Sequence, residues 1–383
     1  MVRFLAIISF ILLFNFSLPV IDKQLENNNI DQTIDSIQSE INVKDNPVIL
    51  ESLNGFFEKV QQLVTQIGSQ LGDLPLPKQN PQPEEKETKK EKVELTVPSE
   101  QVFSIHNVEI GNPKEEIEHN LGRANRSSLN EYGTDWNTYH QDYHDFFMVM
   151  YDENNKVAGL YTNQDLIAST NGIKLGSTKK TVREKLGDPL TKIQKGFTVY
   201  QLQENSDNDV FLIDGTYITV FYDKHENNTV TAMQLVNKDF EDEKTDFYTK
   251  GNSALKEGFE YQLFDLTNAA RVNHQLPVLT WDEHVQGTAR KHSTDMAVHQ
   301  YFDHTNLKGQ SPFDRMKEDD ISFHLAGENL AYGQFSSIFA HEGLMNSLGH
   351  RENILREGYK YLGVGVAFNN ESQPYYTENF FAK

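Results

Sequence analysis

A proline- and charge-rich tract divides this chain of 383 residues into parts that must fold separately. Four prolines between positions 75 and 83 are followed by a mixed run of charges from Glu84 to Lys92. Such a composition cannot bury enough apolar surface to offset the entropy that a chain loses on folding. We therefore predict a stiff linker over residues 73–100 that holds a folded body away from the N-terminus.

The first 21 residues predict export from the cell. Arg3 supplies a positive end, and residues 4–16 are nearly all apolar, which is typical of a signal peptide. No small-x-small cleavage pattern stands near residue 21, so a membrane anchor over residues 1–21 is the alternative. Both interpretations place the body outside the cytoplasmic membrane, either secreted or membrane-anchored.

Residues 22–100 are predicted to form a polar stalk, disordered or helical. Apolar side chains recur at helical spacing from residue 51 to residue 71 and predict one amphipathic helix. Its apolar face could dock on the body, self-associate or lie on a membrane. The membrane is the least favoured of these because Lys59 is its only basic residue.

An internal repeat predicts one domain of two αβ units over residues 104–237. Residues 108–113 begin the first unit, and residues 173–177 begin the second, 65 positions later. Each unit is predicted to contain a short strand, a helix that Gly122 or Gly187 closes, and two further strands. These further strands are predicted at residues 146–151, 157–162, 217–222 and 230–236. The domain contains no nucleophile with a partner base, so we expect it to bind or position.

Composition excludes several kinds of partner and site. Asp and Glu number 56 and Lys and Arg 35, which gives a net charge of -21. A chain of this charge is repelled by phosphate backbones, so no nucleic-acid partner is expected. The sequence contains no cysteine, which excludes disulfides, thiolate metal sites and a lipobox-type anchor.

Three polar side chains that lie far apart in the sequence form the candidate site: His304, Glu328 and His350. They cannot meet on one helix, so only the tertiary fold can bring them together. Two neutral imidazoles and a carboxylate suit zinc or another divalent ion, with one more ligand or a water to complete a tetrahedron. The alternative is that each is an ordinary, separately hydrogen-bonded residue, since no short metal-binding motif contains them.

The C-terminal part of the chain, from about residue 259, resembles the CAP domain in its cysteine-free bacterial form. This is the family of cysteine-rich secretory proteins, antigen 5 and pathogenesis-related 1 proteins. Matching motifs in order include Tyr-Phe-Asp-His at 301–304, Ser-Pro-Phe-Asp-Arg at 311–315, Gly-Glu-Asn-Leu at 327–330, Ser-Leu-Gly-His-Arg at 347–351 and Tyr-Thr-Glu-Asn-Phe at 376–380. The resemblance implies an α-β-α sandwich over residues 251–383, after a linker at 238–250. The preceding repeat domain resembles the CAP-associated N-terminal domain, and the predicted class of the whole chain is α+β.

The resemblance also implies a cleft that contains two histidines and two glutamates. His304, Glu328 and His350 match three of these four positions. The fourth falls near Ser347, which offers only a hydroxyl, and Glu342 is the alternative fourth ligand. The resemblance thus implies a metal site that lacks one of the usual carboxylates.

One helix is predicted to begin at Ser336 or Ser337 and to run to Leu348, where Gly349 would end it. His350 would then project from the C-terminal end of this helix. The negative end of the helix dipole would favour the protonated imidazole there.

Two functions are consistent with these features. The first is an extracytoplasmic CAP-domain protein of a bacterial cell surface that binds a divalent metal, a small lipophilic or peptide ligand, or both. The second is a metal-dependent hydrolase that acts on cell-wall or peptide substrates, with Glu328 as general base. The missing second glutamate and the lack of a paired nucleophile favour the binding function. The expected partner is a small-molecule or cell-envelope ligand, and zinc or a similar ion is the expected cofactor.

Overall fold

The computed structural model describes residues 93–202 and 207–383. The predicted leader at 1–21, the stalk helix at 51–71 and most of the first linker therefore lie outside the described residues. These described residues belong to a single unit of α+β architecture. Within the described part of the chain, no helix is both long enough and apolar enough to cross a membrane.

The repeat domain is built on an antiparallel sheet of seven strands. In chain order, the strands of this domain are β1 (Phe103–Ile105), β2 (Arg126–Leu129), β3 (Asp135–Gln141), β4 (His144–Tyr151), β5 (Val157–Thr162), β6 (Ile167–Ser169), β7 (Lys192–Lys195), β8 (Thr198–Gln201), β9 (Asn208–Ile213), β10 (Thr216–Asp223) and β11 (Thr229–Asn237). The helices are α1 (Lys114–Leu121), α2 (Lys179–Leu186) and α3 (Lys238–Glu243). The sheet order is β2-β3-β4-β5-β11-β10-β9, so the four predicted strands β4, β5, β10 and β11 lie at its centre.

The two repeats meet where β5 pairs antiparallel with β11, and Tyr161 lies opposite Gln234. From this pair the strands follow the same order outward on both sides, as two copies related by a two-fold axis would. Gly122 and Gly187 end α1 and α2 with φ angles of 82° and 85°, values that favour glycine. The predicted helix ends are thus confirmed in both copies.

The copies differ at their outer edges. In the first, β2 extends the seven-stranded sheet beside β3. In the second, β7 pairs with β8 in a separate two-stranded hairpin, which leaves β9 as the outermost strand of the main sheet. Leu190 still donates its backbone N–H to the carbonyl of Val210 on β9, so the hairpin remains tied to this edge.

The C-terminal domain is a four-stranded sheet with helices on both faces. Its strands are β12 (Thr280–Trp281), β13 (Leu325–Tyr332), β14 (Tyr361–Phe368) and β15 (Pro374–Ala382), in the order β12-β14-β15-β13. Its helices are α4 (Ser253–Asn273), α5 (Glu283–His299), α6 (Pro312–Glu318), α7 (Ser337–Met345) and α8 (Leu348–Ile354). Alternate side chains of β14 and β15 pack toward α4 and toward α5, which gives the expected α-β-α sandwich.

Close packing between the two domains occurs where α4 crosses the edge strand β2. Gly258 makes this approach possible, because a Cβ atom there would lie 2.0 Å from the carbonyl oxygen of Leu129. One turn on, the Gln262 amide donates to the carbonyls of Ser128 and Leu129 at 3.2 and 2.9 Å. The helix thereby covers backbone groups of an otherwise open sheet edge.

Both predicted linkers contain ordered contacts. The last residues of the first linker, 93–100, lie against the repeat domain, because the Glu109 carboxylate accepts hydrogen bonds from the backbone N–H groups of Ser99, Glu100 and Gln101. The second, residues 238–250, contains α3, which the Asn237 side chain caps. The charge-rich composition of both segments reflects surface position in these parts rather than lack of structure.

Candidate functional site

The candidate cleft lies at the edge strand β13, which carries Glu328. His304 lies in the loop between α5 and α6, and its Nδ1 is 2.9 Å from Oε1 of Glu328. Two side chains hold this loop by its carbonyl groups: His292 of α5 contacts the oxygen of Asp303 through Nε2 at 3.0 Å, and Arg315 of α6 donates to the oxygen of His304 at 2.7 Å. The fold therefore brings together two of the three predicted residues in direct contact.

The Glu328 carboxylate is shared between an imidazole and a guanidinium. Its Oε2 accepts a hydrogen bond from Nη2 of Arg315 at 2.6 Å, while Oε1 contacts His304. The Glu328 side chain is 1% exposed and that of Arg315 7%, whereas that of His304 is 52% exposed. A buried carboxylate held this way orients the imidazole and directs its other nitrogen, Nε2, outward.

The structure corrects the predicted position of His350. The helix capped by Ser336 ends at Met345, and a second helix, α8, begins at Leu348 and contains His350 in its first turn. The break occurs at Asn346, whose side chain donates to the carbonyl of Tyr222 at 2.8 Å across the domain boundary.

His350 is therefore near the N-terminal, positive end of a helix, and the expectation of a protonated imidazole at a C-terminal end was wrong. Burial, and to a smaller extent the neighbouring His304, lower its pKa below the ordinary histidine value. The neutral form, which is the form that binds metals, is thereby favoured.

Hydrogen bonds fix the orientation of His350. Its Nδ1 lies 2.7 Å from Oγ of Ser347, and its carbonyl accepts from Nδ2 of Asn329 at 3.1 Å. Asn329 is itself buried and also donates to the Glu378 carboxyl at 3.1 Å. Like His304, His350 thus has its Nδ1 engaged, and Nε2 is the nitrogen that remains for a ligand.

Glu342 does not join this group. Its buried carboxyl accepts a hydrogen bond from the Tyr161 hydroxyl of the repeat domain at 2.5 Å. Burial raises the pKa of this carboxyl to about 7, and Asp223 and Arg351 are its charged neighbours. Its contacts are with the domain seam, so of the two predicted alternatives for the fourth position only Ser347 lies beside an imidazole of the cleft.

The donor atoms determine which kind of metal site these residues fit. In residues 93–202 and 207–383, no set of three or more His, Asp or Glu side chains is placed to hold a metal ion. The two imidazoles have engaged Nδ1 atoms and would offer a cation only their Nε2 atoms, so its remaining ligands would have to be water or a bound molecule. Because both oxygens of Glu328 have protein partners, this carboxylate fits the outer shell better than the inner one.

Sequence reasoning missed the part played by Arg315. This residue stands in the Ser-Pro-Phe-Asp-Arg motif, where Ser311 and Asp314 form a capping box that begins α6. The motif thus gave a local signal for the helix, but not for the contact across 13 residues with Glu328. The signal that the sequence offered for this contact was an arginine 13 positions before the predicted carboxylate ligand Glu328.

Comparisons with known proteins agree with this architecture. Residues 110–247 match the CAP-associated N-terminal family, and residues 264–380 match the cysteine-rich secretory protein family. The membrane protein YlbC of Bacillus subtilis is 28% identical over 336 residues, which cover 82% of this chain and 93% of YlbC. Protein YkwD of the same organism is 40% identical over 141 residues, which are 37% of this chain and 53% of YkwD.

Solved structures share the fold across both domains. An extracellular protein with an SCP domain from Bacillus anthracis has a TM-score of 0.63 at 25% identity, over 76% of this chain and 99% of that one. A cysteine-rich secretory protein from Staphylococcus aureus has a TM-score of 0.56 at 14% identity, over 72% and 94% of the two chains. The chain therefore belongs to the CAP superfamily, as a cysteine-free member in which a CAP-associated N-terminal domain precedes the cysteine-rich secretory protein family domain.

Proposed function

We propose that the protein acts at a bacterial cell surface, outside the cytoplasmic membrane, and binds a divalent metal ion such as zinc in the CAP cleft. His304 and His350 would supply the ligands, each through Nε2. The observation that carries this proposal is the contact between His304 Nδ1 and Glu328 Oε1 at 2.9 Å, with Arg315 on the other carboxylate oxygen. A carboxylate that fixes the tautomer of an imidazole is a recurrent feature of metal sites.

The protein side of such a site is already oriented by its own contacts. Arg315 keeps the Glu328 carboxylate in place, and this carboxylate holds the proton of His304 on Nδ1. On the other side, Ser347 occupies Nδ1 of His350 at 2.7 Å. When bound, the metal would supply a Lewis-acidic centre for an oxygen or nitrogen atom of a ligand.

Exposed apolar side chains flank the two histidines and support a small lipophilic or peptide ligand. Phe302 is 49% exposed, Leu307 64% and Leu348 59%, and each lies within three residues of a cleft histidine. Large apolar side chains at this exposure favour contact with a partner molecule. The ligand is therefore proposed to combine an apolar part with a donor atom for the metal.

The hydrolase alternative has less support. A general base must accept a proton from water, and both oxygens of Glu328 already accept hydrogen bonds from His304 and Arg315. Its 1% exposure also leaves no approach for a water molecule to the carboxylate. Binding rather than hydrolysis is thus the function that we favour.

The surface location is proposed from the leader-like residues 1–21 and from the relatives. One is described as a membrane protein and one as an extracellular protein. The net charge of -21 would disfavour adhesion to anionic wall polymers, unless divalent cations bridge the two.

Metal uptake by the purified protein tests the proposal. We expect about one zinc per chain by elemental analysis after dialysis, and no uptake by the double variant His304→Ala, His350→Ala. The control is His299→Ala, which removes an exposed imidazole at the end of α5 and should leave uptake unchanged. Equal uptake by the double variant, in a chain that melts like the wild type, would refute the site.

Glu328→Gln separates an orienting role from a catalytic one. The amide keeps the volume but not the charge, so we expect zinc to bind roughly 10–100-fold more weakly, as for other outer-shell changes. Incubation with peptidoglycan and casein tests the alternative function. Turnover that Glu328→Gln abolishes without loss of zinc would contradict our preference and support a hydrolase.

A further inference from the structure

We propose a second ligand site in the repeat domain, in the cavity between the β7–β8 hairpin and the sheet edge formed by β9, β10 and β11. The site would take a small carboxylic acid with an apolar body. It is separate from the CAP cleft and does not depend on the metal site proposed there.

The cavity results from the difference between the two repeats. In the first copy, β2 lies flat in the sheet, and α4 of the CAP domain covers it. In the second copy, β7 and β8 leave the sheet as a hairpin, and Lys195 on β7 binds the Glu241 carboxylate on α3. Tyr200 on β8 donates its hydroxyl to the carbonyl of Thr245 and stacks on Phe247. These contacts hold the hairpin over the sheet as the outer wall of a cavity.

The walls are mostly apolar and come from both domains. The hairpin contributes Ile193, the sheet contributes Val210 and Val236, and the CAP domain contributes Phe335 and Phe339. The cavity has a volume of about 120 Å³. This is somewhat below the roughly 150 Å³ of a cavity that holds benzene, so the space suits a ligand no larger than a single small ring or a short alkyl chain.

A buried amide without a partner lies in the wall. Gln234 stands on β11, one of the central strands of the sheet, and is 3% exposed. Among the described residues, its Nε2 has no hydrogen-bond acceptor. A buried donor left unpaired costs about 1–3 kcal/mol. A ligand that carries an oxygen acceptor would remove this cost and bind more tightly than a pure hydrocarbon.

A lysine in the same wall provides the charge preference. Lys244 donates to the carbonyls of Asp246 and Phe247 at 2.7 and 2.8 Å. Within the described part of the chain, no carboxylate lies within ion-pair distance of its ammonium group. The Glu241 carboxylate of this wall is already held by Lys195 and by the Tyr132 hydroxyl. The Glu241, Glu131 and Asp246 carboxylates lie near this ammonium group without contacting it, so Lys244 can still form a direct ion pair with a carboxylate on the ligand, which an amine or an alcohol cannot do.

Three probes of similar size test this preference: benzoate, benzyl alcohol and benzylamine. We expect calorimetry and ligand-detected NMR on the full chain to show saturable binding in the order benzoate, then alcohol, then amine. Lys244→Met should weaken benzoate at least about tenfold, equivalent to 1.4 kcal/mol, and leave benzyl alcohol nearly unchanged. Lys238→Met is the matched control, because this lysine at the start of α3 pairs with Asp242 outside the cavity.

Two more variants establish where the probes bind. Val236→Phe should fill the cavity and abolish binding of all three, and Gln234→Leu should weaken only the two oxygen-containing probes. Melting temperatures near that of the wild type confirm that the variants fold. His304→Ala with His350→Ala should leave benzoate binding intact, which separates this site from the CAP cleft. Benzylamine that binds as tightly as benzoate, or benzoate binding that survives in folded Val236→Phe, would overturn the proposal.

Discussion

The seam between the two domains depends on one glycine, and Gly258→Ala tests this. The added Cβ would lie 2.0 Å from the Leu129 carbonyl oxygen, whereas ordinary contact begins near 3.4 Å. Because the obstructing atom belongs to the backbone of an edge strand, α4 and β2 must separate by about 1.4 Å. Overpacking of this kind costs about 1–3 kcal/mol.

Two further terms modify this cost. Separation stretches the hydrogen bonds of Gln262 to Ser128 and Leu129, each worth roughly 1 kcal/mol. Alanine is in turn the better helix former by about 1 kcal/mol. The sum predicts that Gly258→Ala lowers the free energy of unfolding by about 2–4 kcal/mol.

Gly287→Ala in α5 is the matched control, since a Cβ atom at this helical glycine meets nothing within 4 Å. It should stabilise the protein by about 0.5–1 kcal/mol through helix propensity alone. Urea unfolding followed by circular dichroism measures both variants under the same conditions. If Gly258→Ala proves as stable as Gly287→Ala, the two domains are not held by the close approach of α4 to β2.

Two other predictions concern buried charges at the same seam. Burial raises the pKa of Glu342 to about 7, so the stability contributed by its bound proton is complete only below pH 4.5 and is lost as the pH rises through 7. Between pH 5 and pH 8, the free energy of unfolding measured with urea should therefore fall less for Glu342→Gln than for the wild type. Arg351→Met should cost about 3–5 kcal/mol, because it leaves the buried Asp223 carboxylate without its partner at 2.8 Å. In the same assay, loss of the exposed pair of Lys180 with Glu184 through Lys180→Met should cost less than about 0.5 kcal/mol.

The central strands of the repeats were predictable from the sequence because their signals are local. Continuous apolar runs bounded by Asp and Asn turns marked Val157–Thr162 with the same bounds that the structure has. Gly122 and Gly187 marked helix ends because each adopts a positive φ angle, which other residues rarely do. The motif matches in the C-terminal half likewise led to the correct fold.

The features that the sequence did not reveal all depend on distant partners. The helix break at Asn346 follows from its bonds to Tyr222 and Lys224, more than 120 positions earlier. No local pattern indicates such a break. Similarly, the sequence left Glu342 as a possible ligand in the cleft, because it did not show that this carboxyl binds the hydroxyl of Tyr161, 181 positions away. The separate hairpin of the second repeat also depends on a distant partner, since Lys195 on β7 binds the Glu241 carboxylate on α3.

The unequal edges of the duplicated unit determine where this protein can tolerate change. In the first copy, the outermost strand holds the neighbouring domain, so an insertion or a slip in register there would disconnect the two halves of the molecule. In the second copy, the corresponding segment projects as a hairpin with Phe197 fully exposed at its tip. Loop grafts, tags or altered sequence in this hairpin should reshape the cavity beneath it while the CAP cleft keeps its geometry. The contact between the domains thus constrains the outer strand of one copy, whereas the hairpin of the other copy is free to change in sequence.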